Sequence, residues 1–571
     1  MKALNIILFA SLLGMFAAPP GRTASAPAPE NADPAARDAD WSADVDYLVR
    51  RLEIQHPDLY AQCSREEFAG AVIRLKERIP VSTDTEMMFG IMEVLSLLAD
   101  DHTGLWIPES EAFIAAVRMC PIGLYPFADG MHVVYADQRY AALVGRKVVR
   151  IGDVTAEEAL TRLARLANGD NDVQKAEMAR IMLPSPEVLK FCGVDDRADS
   201  LHLTLQESDG SETVAAVSPE SLLDSFANIA NGPFPGSGPS TLQMNGDSAP
   251  PPLWLSRGSD AYWFEYQPSS GTMYLRLKAM EPKPEEGFPA FFARFFAEMD
   301  KQPVNRLVID VRNNAGGDHH EMPLLKGILA RAQLDRPERL FVIINRGVGS
   351  AAQHFANVFA QYTNATFVGE PTGTRPNFYG ALRTFPLPRH KGVVIAVSNK
   401  VWQDWDSDNY ELRLVPRFDT ALTAADFKAN RDPALDFVLR YDDAVAAVRE
   451  VDQSMRTAGA QGAEAVIAAY ETGRPALIAA HANLETFLLD FDNRFVFADA
   501  ATEAAFLSVA ARDCPESLIL RHRLGLYLQA LGRTAEAREC QQECLRRNPG
   551  HRNARVALEM MELLASPSTR P

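Results

Sequence analysis

The sequence predicts a multidomain chain of mixed α/β and α+β class. Apolar residues recur at helical spacing over 38–116, then give way to short alternating runs and glycine turns over 117–220. Buried-type strands and amphipathic helices alternate over 261–444, the mark of an α/β layer, and 445–571 turns rich in Ala, Leu and Glu. At 571 residues and 47% hydrophobic composition the chain has material for several cores.

Met1-Lys2 and the apolar run Ala3–Ala18 read as a secretory signal peptide over 1–26, because that run is short of the about 20 residues a membrane span needs. Pro- and Ala-rich 27–37 reads as a disordered leader, so the mature protein is expected in the periplasm or secreted, with no membrane span. A net charge of −18 without a basic run argues against nucleic-acid partners. The six cysteines lack metal-site spacing and are too few for a disulfide framework. Cys540, Cys544 and Cys514 suit either a bridge or burial as small hydrophobes.

Helices are expected over Trp41–Gln55, Arg65–Arg78 and Glu86–Leu98, the last ending at Asp100-Asp-His-Thr-Gly104. In 117–220, Lys147–Gly152 and Leu201–Gly210 alternate as strands, the second ending in an Asp-Gly hairpin signal, and Asn171–Lys190 reads as an added helix. The Pro-, Gly- and Ser-rich stretch 221–260 reads as a linker.

Leu307–Val311 and Arg339–Ile344 read as buried strands. The first runs into the loop Asn313–Gly317, and Ser350 stands where the second hands over to an amphipathic helix, Ala351–Tyr362. A serine hydroxyl there lies beside the unpaired N–H groups of a first helical turn and a glycine loop, as acyl transfer requires. Asp318-His-His-Glu321 reads as the surface of a helix start, since adjacent histidines diverge and the H-E-x-x-H zinc pattern is absent.

The ordered segments Asp310-Val-Arg-Asn-Asn-Ala-Gly-Gly317, Ser350-Ala-Ala352 and Gly369-Glu-Pro-Thr-Gly373 resemble the C-terminal processing, or tail-specific, serine peptidases and their tricorn-like branch. Asp426–Leu435 is similar to the family's closing motif. The resemblance implies a peptidase core over 261–444, reached through an N-terminal helical region (38–116) that carries a histidine motif. It also implies a PDZ-like domain over 117–220. Within 445–571, Pro515 and Pro549 lie 34 residues apart around Leu524-Gly525, Ala530 and Gly532, which resembles a tetratricopeptide hairpin; a plain helical bundle fits the same residues.

By the same resemblance Ser350 is the nucleophile, and Gly316, Gly317 and Ala351 supply oxyanion donors. Asp310 and Arg312 brace the glycine loop, and Asn377 belongs to the supporting shell. One branch of the family uses a lysine base, but that position holds Arg375, which cannot accept a proton; Lys400 would have to fold in instead. The tricorn-like branch uses a histidine, and Asp101-His102-Thr103 matches its motif. The orienting acid is expected among Asp404, Asp406, Asp408 and Glu411, with Asp408 and Glu411 as candidates; His354 is a reserve base. No cofactor or metal is implied. The expected protein is an exported serine endopeptidase acting on peptides or proteins, with a further protein partner for the helical tail. A non-catalytic peptide-binding scaffold and a serine esterase or amidase are the alternatives.

Overall fold

The computed structural model describes residues 33–565 except 198, 208, 223–240, 245–249, 259, 319 and 408. The expected signal peptide, most of the leader and linker, His319 and Asp408 lie outside the described residues.

Six strands form the central sheet, in spatial order Tyr262–Gln267, Thr272–Leu277, Arg306–Asp310, Leu340–Ile344, Thr366–Gly369 and Phe418–Asp419. The first pair is antiparallel and the others are parallel. Both faces are covered, which is why Leu307–Ile309 and Leu340–Ile344 are continuously apolar rather than alternating. Leu307, Ile309, Val342 and Ile344 face the helices Phe288–Met299, Met322–Leu329 and Ala351–Tyr362. Val308, Phe341, Ile343 and Val368 face the other way, toward Phe437, Tyr441 and the helices of the tail. The tail therefore shares a core with the sheet rather than standing off as a separate module. Its helices begin at Tyr441, four residues before the boundary expected from composition.

Three consecutive parallel strands end at Asp310, Ile344 and Gly369, and the motif loops leave them side by side at one edge of the sheet. That edge is where open α/β sheets place their sites.

The N-terminal helices Pro34–Gln55, Arg65–Arg78 and Asp84–Ser96 share one core with the β-rich insert. The first begins inside the span read as leader: Asp33 caps it by accepting from Ala35 N at 3.1 Å, and Pro34 takes the first turn. The insert's sheet runs Thr241–Gln243, Gly130–Asp137, Lys147–Ile151, Leu201–Gln206, Glu212–Val217, with Ile122–Phe127 and Val154–Thr155 at its sides. Thr241–Gln243 was expected to be linker; it is a strand because it completes the free edge of Gly130–Asp137. The added helical stretch is two helices, Asp172–Met182 and Pro186–Phe191. All six cysteines are free and buried.

A small sheet joins the N-terminal region to the core. Gly104–Leu105 pairs antiparallel with Val394–Val397, which pairs in turn with Arg383–Pro386. His102 lies two residues before that strand, so this pairing carries it across the 248 positions that separate it from Ser350.

Candidate active site

Ser350 caps its helix with φ +50° and ψ −125°. A non-glycine residue there stores about 1–3 kcal/mol of strain, which the surrounding structure must hold. The hold is visible: Gly349 N donates to Asn314 O at 3.1 Å, and Gly373 N donates to Val348 O at 3.2 Å. Three motif loops thus grip one corner, turning the serine out of the strand line and into a groove of about 760 Å³ lined also by His102, Asp101, Gly317 and Gln174.

His102 Nε2 lies 3.1 Å from Ser350 Oγ. Its Nδ1 is hydrogen-bonded to Asp101 Oδ1, and the two side chains are 14% and 11% exposed. Asp101 Oδ2 accepts from Gln174 Nε2 at 2.7 Å and from Thr374 Oγ1 at 3.1 Å, so both carboxylate oxygens are fixed. Burial pulls the His102 imidazole toward its neutral form. The charge and hydrogen bond of Asp101, with Asp100 and Asp170 behind it, outweigh burial and push its pKa up to about 9.

The loop carrying His102 is short on regular structure and rich in buried polar contacts. Ala99 turns it with φ +46°. Asp100 Oδ1 accepts from His102 N at 2.9 Å and Ser398 Oγ at 3.0 Å, while Oδ2 meets His56 Nε2 at 3.1 Å and Thr103 Oγ1 at 2.5 Å. Burial would raise the Asp100 carboxyl, but His56, His102 and the Thr103 hydroxyl hold it down at about 2. Asp170 accepts from Asp101 N and from Arg375 N, each at 3.2 Å. Burial and the neighbouring Asp101 charge push Asp170 up to about 8, against Arg375. The Arg375 guanidinium donates to Ala99 O at 3.2 Å and to Asp170 O. Arginine in place of the family's lysine base is thus a brace beneath the histidine loop.

Of the expected oxyanion donors, Gly316 N is already bonded to Asn314 Oδ1 at 3.0 Å. Among the described residues, neither Gly317 N nor Ala351 N has an acceptor. Gly316 acts through space: a Cβ built on it would stand 2.7 Å from Ser350 Cβ and 2.8 Å from Ala351 N, at a φ of +114°. Arg312 braces the loop as expected, through Asp310 Oδ1 at 3.1 Å and a two-point contact with Asp432 at 2.9 and 2.8 Å from the closing motif. Tyr274 OH and the Arg276 guanidinium complete that buried cluster.

The acid was expected elsewhere. Glu411 Oε1 accepts from Ile519 N at 2.7 Å, at the N-terminus of a tail helix, and does not line the groove. Asp101, the histidine's own chain neighbour, holds the ring. Its place in the motif was the available signal. Nothing in the sequence announces the bend that turns two adjacent side chains toward each other. His354 Nδ1 is engaged by Asp404, and Lys400 Nζ lies 5.0 Å over the Trp402 ring. Asn377 Nδ2 donates to Asp406 O at 2.9 Å, so it supports the chain at Asp406 rather than Ser350. His320, read as surface, stacks on Phe288 with ring centroids 4.8 Å apart, and Glu321 is buried. Asp100, Asp101 and His102 are close enough to share a metal ion, but each side chain already has hydrogen-bond partners within the loop.

Residues 271–335, which hold two central strands and the glycine loop, match the model of peptidase family S41. This segment is similar to the S41 peptidases. No curated protein matches it in sequence. Among solved structures, mature CPAF complexed with lactacystin aligns over 72% of this chain and 99% of its own, with TM-score 0.50 and 12% identity. The photosystem II D1 C-terminal processing protease aligns over 70% of this chain and 96% of its own (TM-score 0.32, 14% identity). The tricorn protease aligns over 71% and 36% (TM-score 0.33, 13% identity). At such identities the first likeness speaks for the fold alone. The family match ends before Ser350, so the case for the nucleophile rests on geometry.

Proposed function

We propose that the protein is an exported serine endopeptidase in which Ser350 is the acylating nucleophile, His102 the general base and Asp101 the orienting acid. The observation that carries this reading is the Nε2–Oγ distance of 3.1 Å between residues 248 positions apart, with Asp101 on the other ring nitrogen. In the reaction, Ser350 Oγ attacks the peptide carbonyl and passes its proton to His102 Nε2. Asp101 keeps Nδ1–H pointed away from the serine and stabilises the imidazolium. The Gly317 and Ala351 N–H groups, both without an acceptor, hold the oxyanion. His102 then protonates the leaving amine, and water, activated by the same imidazole, releases the acyl group from Ser350. The base must be neutral, so activity rises from neutral pH toward about 9.

The signal-like N-terminus supports a periplasmic or secreted location. The insert is read as a PDZ-like module that takes a peptide end by strand addition, and the tail as a tetratricopeptide-like surface for a protein partner. The test is hydrolysis of unfolded casein by the purified protein and by Ser350→Ala. The expected result is turnover lost by a factor on the order of 10⁶ with the fold retained. Turnover that survives in Ser350→Ala removes the assignment.

A further inference from the structure

The groove that holds Ser350 also displays two guanidinium groups that the chain does not neutralise. Arg51 and Arg383 both line it. Among the described residues neither has a hydrogen bond or a carboxylate within ion-pair distance. Arg346, on the same groove, is paired with Glu370 at 3.0 Å.

The register of the joining sheet says where they stand. Arg383 pairs with Val397, and Gly104 pairs with Ala396 on the far side of the same strand. One further residue along that ladder sets Thr103 opposite Val397, where Ser398 N donates to Thr103 Oγ1 at 3.0 Å. Arg383 therefore lies two strand spacings, about 9.5 Å, from the residue that follows His102. Phe385 shares a strand face with Arg383, and the Arg51 guanidinium sits 5.2 Å over the Phe385 ring. The two cations are neighbours.

We infer that Arg51 and Arg383 form a carboxylate-recognising subsite of the peptide groove. Preferred substrates carry a carboxylate on the order of two or three residues from the scissile bond, given about 3.3 Å per extended residue. Guanidinium forks match carboxylates in two-point contacts, which supplies direction as well as attraction. Glu109 and Glu281 line other parts of the groove and disfavour a second acid there. The carboxylate comes from an acidic side chain or from a peptide C-terminus.

The inference rests on the groove being the peptide site, so binding is measured separately from turnover, on Ser350→Ala protein. Fluorescein-labelled decapeptides of one Gly/Ser/Ala/Leu sequence are compared by anisotropy: Glu scanned through each position with an amidated end, the Gln counterparts, and a free C-terminus without Glu. The expected result is binding tighter by about tenfold for the Glu peptides at one or two positions, or for the free terminus, which tells the two sources apart. That preference is lost in Arg383→Gln, whose side chain is exposed, and in Arg51→Met, which keeps the stem over Phe385. Equal binding of all peptides, or a preference that survives both substitutions, overturns the inference and leaves Ser350 chemistry untouched. Absence of casein hydrolysis by the wild type overturns the catalytic reading while the anisotropy result still decides the subsite.

Discussion

The Ser350 corner and the His102 loop meet in one groove but are held there by different balances of strained backbone and buried charge. The corner is strained backbone gripped by glycine loops above the apolar strand Leu340–Ile344, where Val342, Ile343 and Ile344 have 0% exposure, and the buried Asp310–Arg312–Asp432 cluster braces its glycine loop. The histidine loop has almost no apolar anchor of its own. It hangs on Asp100 and Arg375, buried charged groups that are costly unless paired, and on the hydrogen-bonded Asp170 carboxyl. A strained corner needs rigidity around it. A base needs a tuned proton affinity, and buried carboxylates tune it. The comparison teaches that removing charge in the loop should change the chemistry first, whereas adding bulk at the corner should change geometry first.

The largest effect separating the two is expected from Asp101→Asn. The amide can keep the ring in place but no longer stabilises the imidazolium, so kcat should fall by about 10⁴ with little change in KM. Steady-state kinetics on a cleaved peptide reads this, and a loss confined to KM would mean that Asp101 merely contacts substrate. Next is Gly316→Ala at the corner. Its Cβ must displace Ser350 or Ala351 N, so a loss of about 10²–10³ in kcat is expected, with the acid limb of the pH profile unmoved. A shifted limb would show that the corner also sets the base's proton affinity. Smallest is Arg375→Met, which removes the brace on Ala99 O and Asp170 O. Urea unfolding should show a loss of about 2–3 kcal/mol, and kcat a drop of about tenfold. Unchanged stability would leave the loop's position to its backbone and to Asp100.

Much of the corner was legible because its rules are local. A β-branched run, a glycine pair and a serine heading an amphipathic helix specify strand, loop and helix N-terminus, and Ala351–Tyr362 came out with the expected bounds. Motif resemblance pointed to Ser350, His102 and Arg312, and the structure brings the first two to 3.1 Å and sets Arg312 against Asp310 and Asp432. The contact of Asp101 with the ring was not legible: resemblance pointed downstream of the serine for an acid, and only the tertiary turn at Ala99 brings the adjacent side chains together. Gln174, Thr374 and Asp170 were illegible for a related reason. They arrive from separate segments, and their hydrogen bonds obey no sequence period. The tail's sharing of a core with the central sheet was equally hidden, since helical composition reports an apolar face but not what covers it.

The central claim is that His102 activates Ser350, and the rate of Ser350 labelling by a fluorophosphonate across pH 6–10 tests it most directly. A base with its pKa raised to about 9 is neutral in a fraction that falls tenfold per pH unit below that value. Labelling should therefore climb with a single-proton slope and level off near pH 9, and in His102→Ala it should be slow and without that limb. A His102→Ala protein that labels at the wild-type rate with the same profile would contradict the account.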